Sequence, residues 1–166
     1  DFLGTWISPI EFTKQYSKTR KLGGDKKTMS RHYQFESNLS LTGSNADYRA
    51  TIKPSQEGLL LGALYKLLGG QVSTTNIEAS ETLKKAAKEL LAARGSSLVV
   101  SGSNDPDVQM LVNAINSRLG NYGTTIDLST PIYMRQGDDE AMAQFVDDLK
   151  GGKISAVIFF NANPVY

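Results

Sequence analysis

Gly151-Gly152-Lys153-Ile154-Ser155-Ala156-Val157-Ile158-Phe159-Phe160-Asn161-Ala162-Asn163-Pro164 is the stretch on which the fold turns. Ile154 to Phe160 is an almost unbroken apolar run, and a strand that is apolar on both faces is covered on both faces. The paired glycines before it stop a helix that begins at a cap on Asp138 and turns Met142, Phe145, Val146 and Leu149 inward. The segment reads as helix, buried strand and polar loop.

The same unit recurs upstream. Asp105-Pro106 opens a helix with Val108, Leu111, Val112, Ile115 and Leu119 inward, Gly120 ends it, and residues 124–128 give a short strand. Before it, a helix from about Ser80 carries Leu83, Ala86, Ala87, Leu90 and Leu91, stops at Gly95 and runs into a strand over residues 97–101. Helices alternating with such strands imply parallel pairing through right-handed crossovers. The expected fold is an α/β, open doubly wound (Rossmann-like), three-layer sheet, mostly parallel.

The first third is less regular. Ser8-Pro9-Ile10-Glu11 has the form of a capping box, so a short helix is expected to about Arg20, followed by a flexible glycine- and lysine-rich loop over residues 21–27. Residues 32–35 alternate in the strand manner, and residues 48–53 end a second extended segment at Pro54. A helix from about Ser55 buries Leu60, Leu61, Leu64 and Leu68 and stops at Gly69-Gly70. The expected organisation is an N-terminal helix and basic loop over 1–30 and an α/β domain over 31–166.

With 166 residues, a hydrophobic fraction of 40% and a formal net charge of +1, the chain has room for one ordinary core and no global field to attract nucleic acid. Lys14, Lys18, Arg20, Lys21, Lys26, Lys27 and Arg31 nevertheless crowd its first part, while Asp138, Asp139, Glu140, Asp147 and Asp148 sit late. The absence of cysteine excludes disulfides, cluster ligation and a thiolate nucleophile within these residues. The most apolar run, residues 58–68, is shorter than the about 20 residues a membrane span needs. An opening at Asp1, without methionine or signal pattern, reads as a fragment of a longer chain.

Ligands of open α/β sheets bind beyond the carboxyl ends of the strands. Two loops qualify. Ser101, Gly102, Ser103 and Asn104 sit between a strand and a helix start, where backbone donors receive phosphate, although Asp105 at the cap opposes an anion and no dinucleotide glycine fingerprint is present. Asn161 and Asn163 present amide donors and acceptors suited to a purine edge or a ribose, and are equally ordinary turn residues before Pro164. The single histidine, His32, has no triad partner or metal-site spacing, and no carboxylate pair stands out as acid and base. No self-contained active site is legible.

Residues 35–54, Phe35-Glu36-Ser37-Asn38-Leu39-Ser40-Leu41-Thr42-Gly43-Ser44-Asn45-Ala46-Asp47-Tyr48-Arg49-Ala50-Thr51-Ile52-Lys53-Pro54, resemble a segment of the molybdopterin oxidoreductase family. In that family a strand ending in Asp-Pro-Arg leads to Thr, then Ala-Asp, then an extended stretch closing on Pro-Gly-Thr-Asp before an apolar helix. Thr42, Ala46, Asp47, Pro54 and the helix through Leu64 follow this frame. The later course, through Ala86 to Val100, Gly120-Asn121-Tyr122-Gly123 and a strand reaching an Asn-Pro loop, is similar to the family's nucleotide-binding region. Phe2-Leu3-Gly4-Thr5-Trp6, Ser8-Pro9-Ile10-Glu11-Phe12 and residues 30–37 are similar to one branch, the large molybdopterin-oxidoreductase-like iron–sulfur subunit of bacterial alternative complex III.

The resemblance implies that Thr42, Asp47 and Glu57, with the loops at Ser101 to Asn104 and at Asn161 and Asn163, descend from a site for the guanosine end of molybdopterin guanine dinucleotide. The family's Asp-Pro-Arg is Glu36-Ser37-Asn38 here, and its Pro-Gly-Thr-Asp is Pro54-Ser55-Gln56-Glu57. Loss of Arg removes a fork-shaped phosphate donor, and Ser in place of Gly obstructs close backbone approach. The implied role is a cofactor-free scaffold in an electron-transfer subunit of a quinol-oxidising respiratory complex. Iron–sulfur clusters would lie elsewhere in the parent, which would be membrane-associated and exported to the periplasmic side. Its implied partners are other domains of the parent chain and subunits of that complex, with no nucleic acid. The alternatives are the dinucleotide-arm-binding part of an active molybdenum oxidoreductase, and an unrelated nucleotide-binding module such as the middle domain of thiamine-diphosphate enzymes.

Overall fold

The computed structural model describes residues 1–73, 78–131 and 137–163. The chain divides into two compact units, Asp1–Pro131 and Ile132–Tyr166. In the first unit the elements run α1 (Pro9–Arg20), β1 (Tyr33–Glu36), α2 (Leu41–Ser44), β2 (Tyr48–Thr51), a 3₁₀ turn (Pro54–Gln56), α3 (Glu57–Leu67), α4 (Glu81–Ala92) and α5 (Pro106–Leu119). The second unit holds α6 (Asp139–Lys150).

Strands β1 and β2 pair in parallel, with Tyr33 opposite Tyr48 and Glu36 opposite Thr51. Their connection contains the single turn of α2, which the sequence pattern does not reveal because four residues show no helical period. It is fixed by polar contacts instead. Ser40 caps it, its side chain accepting from Gly43 N at 2.9 Å. The Glu36 carboxylate at the end of β1 accepts from Ser40 N at 3.2 Å and from Ser40 Oγ at 2.6 Å.

The core lies among α3, α4 and α5. Leu61, Leu64 and Leu68 meet Leu83 and Ala87 of α4, and Val108, Val112, Ile115 and Leu119 of α5. These are the residues that helical periodicity turns inward. Leu60, Leu90 and Leu111 pack at its margin, while Leu91 is exposed. Gly120 closes α5 with φ 70°, a left-handed conformation that glycine adopts without a Cβ penalty. At the start of α1 the expected capping box does not form, since Ser8 makes no side-chain cap bond. Entry is guided by Pro9 at the first helical position.

The sequence-expected strands over 97–101, 124–128 and 154–160 carry no ladder among the described residues, beyond a single parallel bridge between Tyr122 and Ile126. The parallel α/β character resides in β1 and β2, and a three-layer sheet is not formed among these residues. For 97–101 the reason is visible. One edge of this segment is occupied by side chains: Thr125 Oγ1 donates to Ser97 O at 2.6 Å, Asn116 spans Val99, and Gln109 Nε2 donates to Ser101 O at 3.3 Å. For 154–160, the described part of the second unit offers one helix and no second strand, and a strand is held by a neighbour's N–H and C=O groups. Ile158 and Phe160 are accordingly more than nine-tenths exposed, and α6 buries none of the residues expected to face inward.

Candidate functional site

The described residues of the first unit bring Glu57, Ser101 and Ser103 together at one place. Two helices begin there. Pro54 starts the turn that leads into α3, and Lys53 N donates to Gln56 Oε1 at 2.9 Å, so Glu57 stands at the mouth of that helix. Pro106 starts α5, where the Asp105 carboxylate caps the helix by accepting from Asp107 N at 2.9 Å. Between them, Ser101 donates its hydroxyl hydrogen in a short bond to the Glu57 carboxylate.

The loop after Ser101 is held from within. Ser103 N donates to Ser101 Oγ at 3.0 Å, Asp105 N donates to Ser103 Oγ at 3.1 Å, and Gln109 Nε2 reaches back to Ser103 O at 2.6 Å. Beside this loop opens a cleft of about 420 Å³, lined by Ser55, Glu57, Ser103, Asp105, Asp107 and Leu111 among others. Among the described residues no lysine or arginine lines it. Three carboxylates at the positive ends of two helix dipoles cancel the field that would otherwise draw a phosphate. The cleft suits groups that donate hydrogen bonds. Among the described residues no cluster of His, Cys, Asp or Glu is arranged to hold a metal.

Gly102 and Asn104 belong to the same loop but are exposed, and a Cβ built on Gly102 meets open space, so no close approach depends on that glycine. Two other sequence candidates make internal contacts. Thr42 is 1% exposed, donates Oγ1 to Asp1 Oδ1 at 2.7 Å and accepts from Leu3 N at 3.0 Å. Asp47 receives both guanidinium nitrogens of Arg20, at 2.7 and 2.8 Å, together with His32 N at 2.8 Å. The Arg20 bonds hold its carboxyl down at about 2. Asn161, with φ 51°, and Asn163 belong to the second unit, and Pro164 lies outside the described residues.

Sequence reasoning missed Gln109, Asn116 and Asn121. Asn116 Oδ1 accepts from Val99 N at 3.0 Å and from Asn121 Nδ2 at 2.9 Å, while its own Nδ2 donates to Val99 O at 2.7 Å and Val112 O at 3.0 Å. The available signal was an amide one residue beyond Ile115 on a face otherwise apolar.

The fit of these residues to a pterin dinucleotide is poor. Glu36, where the family's Asp-Pro-Arg begins, is committed to the β1–α2 junction: besides Ser40 it accepts from Arg49 Nε at 2.6 Å. Burial pushes this carboxyl up, and the bonds from Arg49 and Ser40 more than reverse that, leaving it below the usual range. Ser55 and Glu57, where the resembled family has Gly and Asp, line the cleft. No family model and no curated protein matches the chain. Among the described residues no helix is long and apolar enough to cross a membrane.

Proposed function

We propose that this chain is a cofactor-free scaffold domain of molybdopterin-oxidoreductase type, within an electron-transfer subunit of a quinol-oxidising respiratory complex. The observation that carries the reading is the cleft at Glu57, Ser103, Asp105 and Asp107, which combines two helix N-termini with carboxylates and, among the described residues, no cation. A dinucleotide brings phosphates, and a wall of carboxylates repels them. The resemblance over residues 35–54 supplies the family, and the replacement of its phosphate-facing chemistry supplies the loss of cofactor.

The proposed fold of the parent is a mostly parallel three-layer sheet completed by strands from the rest of its chain. Iron–sulfur clusters sit elsewhere in that polypeptide, on the periplasmic side of a bacterial membrane. This domain then acts by packing against neighbouring domains and subunits and holding the clusters at fixed separations.

Isothermal titration of the chain with guanine and adenine nucleotides tests the reading. The expected result is no heat of binding with either. Saturable binding of a guanine nucleotide, weakened by Ser103→Ala, would instead favour the dinucleotide-arm alternative.

A further inference from the structure

We propose that the outer face of α1 is a peripheral docking surface for an anionic lipid bilayer. The helix has two opposed faces. Phe12, Tyr16 and Arg20 recur every four residues and pack inward: Phe12 meets Trp6 with ring centroids 5.9 Å apart, Tyr16 meets His32 at 5.5 Å, and Arg20 holds Asp47. Ile10, Lys14 and Lys18 recur at the same spacing but two residues out of step, which at 3.6 residues per turn turns them about 200° away. Lys21, three residues past Lys18, continues the stripe.

The loop after α1 thickens this basic face. Lys26 Nζ donates to Lys18 O at 3.3 Å and Thr19 O at 2.8 Å, and Gly23 and Lys26 bridge, which folds the loop back on the helix end and brings Lys27 with it. Among the described residues none of Lys14, Lys18, Lys21, Lys26 and Lys27 is paired with a carboxylate. Glu11 and Asp25 are the acidic residues of this region.

Charge complementarity calls for an anionic partner, and two further features select a bilayer. Ile10 is 87% exposed and Leu22 54%, beside Lys14 and Lys21. Apolar side chains among lysines suit an interface where headgroups overlie hydrocarbon. The cations of the stripe are all lysine, whereas single-stranded nucleic acid requires aromatic platforms, and the aromatic rings of α1 face inward. This inference rests on α1 and does not depend on the proposed function.

The test is co-flotation of the full chain with vesicles of phosphatidylcholine alone or mixed with phosphatidylglycerol, at low and high salt. Binding is expected only to the mixed vesicles and is expected to weaken with salt. Each lysine near such a surface adds roughly fivefold in affinity, so Lys14→Gln, Lys18→Gln and Lys21→Gln together are expected to lower it on the order of 100-fold. These side chains point away from the packed face, and an unchanged circular dichroism melt verifies that the variant folds. Ile10→Ser is expected to weaken binding without changing its salt dependence. Equal binding to both vesicle types, no effect of the triple substitution, or retention on a polyanion such as heparin without any binding to mixed vesicles overturns the proposal.

Discussion

Asn116 grips the main chain of Val99 on both its polar groups, donating to Val99 O at 2.7 Å and accepting from Val99 N at 3.0 Å. A side-chain amide here takes the place of a neighbouring strand. Asn116 is 2% exposed, and Asn116→Leu takes the partner from the partly buried N–H and C=O of Val99 and from the fully buried Asn121 amide. Such groups cost about 1–3 kcal/mol each, and a loss of roughly 2–4 kcal/mol in urea unfolding is expected. A loss below about 0.5 kcal/mol, the range of ordinary surface substitutions, would show that the amide is incidental.

Asp47 sets an acid limit on the attachment of α1. Its carboxyl titrates at about 2, against an ordinary 3.8, because Arg20 holds the charged form. The folded value is the lower one, so this stabilisation is present above about pH 4 and is lost as pH falls towards 2. The Arg20–Asp47 bonds lie at the surface, where water screens the pair, so this stabilisation is on the order of 1 kcal/mol or less. Stability measured across that window is expected to fall more gently in Asp47→Asn than in the unsubstituted chain. Parallel slopes would contradict it.

Gly43 and Glu36 are expected to be coupled. A Cβ on Gly43 would lie 1.8 Å from Glu36 Oε1, and that carboxylate is tied to Ser40 and Arg49 rather than free to swing aside. Gly43→Ala is expected to cost about 1–3 kcal/mol. In a Glu36→Ala background most of that cost disappears, which a double-mutant cycle reads directly. Additive effects would show that the glycine is required for another reason.

Asp105 has a structural duty separate from the charge it gives the cleft. Asp105→Ala removes the cap of α5 and is expected to cost about 1 kcal/mol, whereas Asp105→Asn, an equally good cap, stays within a few tenths. The amide variant therefore isolates the electrostatic effect of the cleft wall without harming the helix. Thermal melts of the two variants compare them.

The helices were legible because burial imposes a period. Leu83, Ala87, Val108, Val112, Ile115 and Leu119 are core residues in sequence pattern and in structure alike, and the caps at Asp105 and Asp138 form as their position before each helix suggests. Strand pairing was less legible, because a ladder depends on which neighbour is near, and neither Val99 nor Ile158 encodes its neighbour locally. The same holds for the site. Glu57, Ser101 and Ser103 were identifiable as loop and helix-start residues, but their convergence depends on the packing of α3 against α5. Thr42 and Asp47, which resemble ligand-facing residues, are spent on internal contacts with Asp1 and Arg20.

The proposed scaffold role requires that no pterin dinucleotide be resident in the parent protein. Molybdenum and pterin content of the purified full-length parent, measured against its iron, tests it most directly. Iron with neither molybdenum nor pterin above trace is the expected result. Stoichiometric molybdenum with two dinucleotides per chain would contradict it.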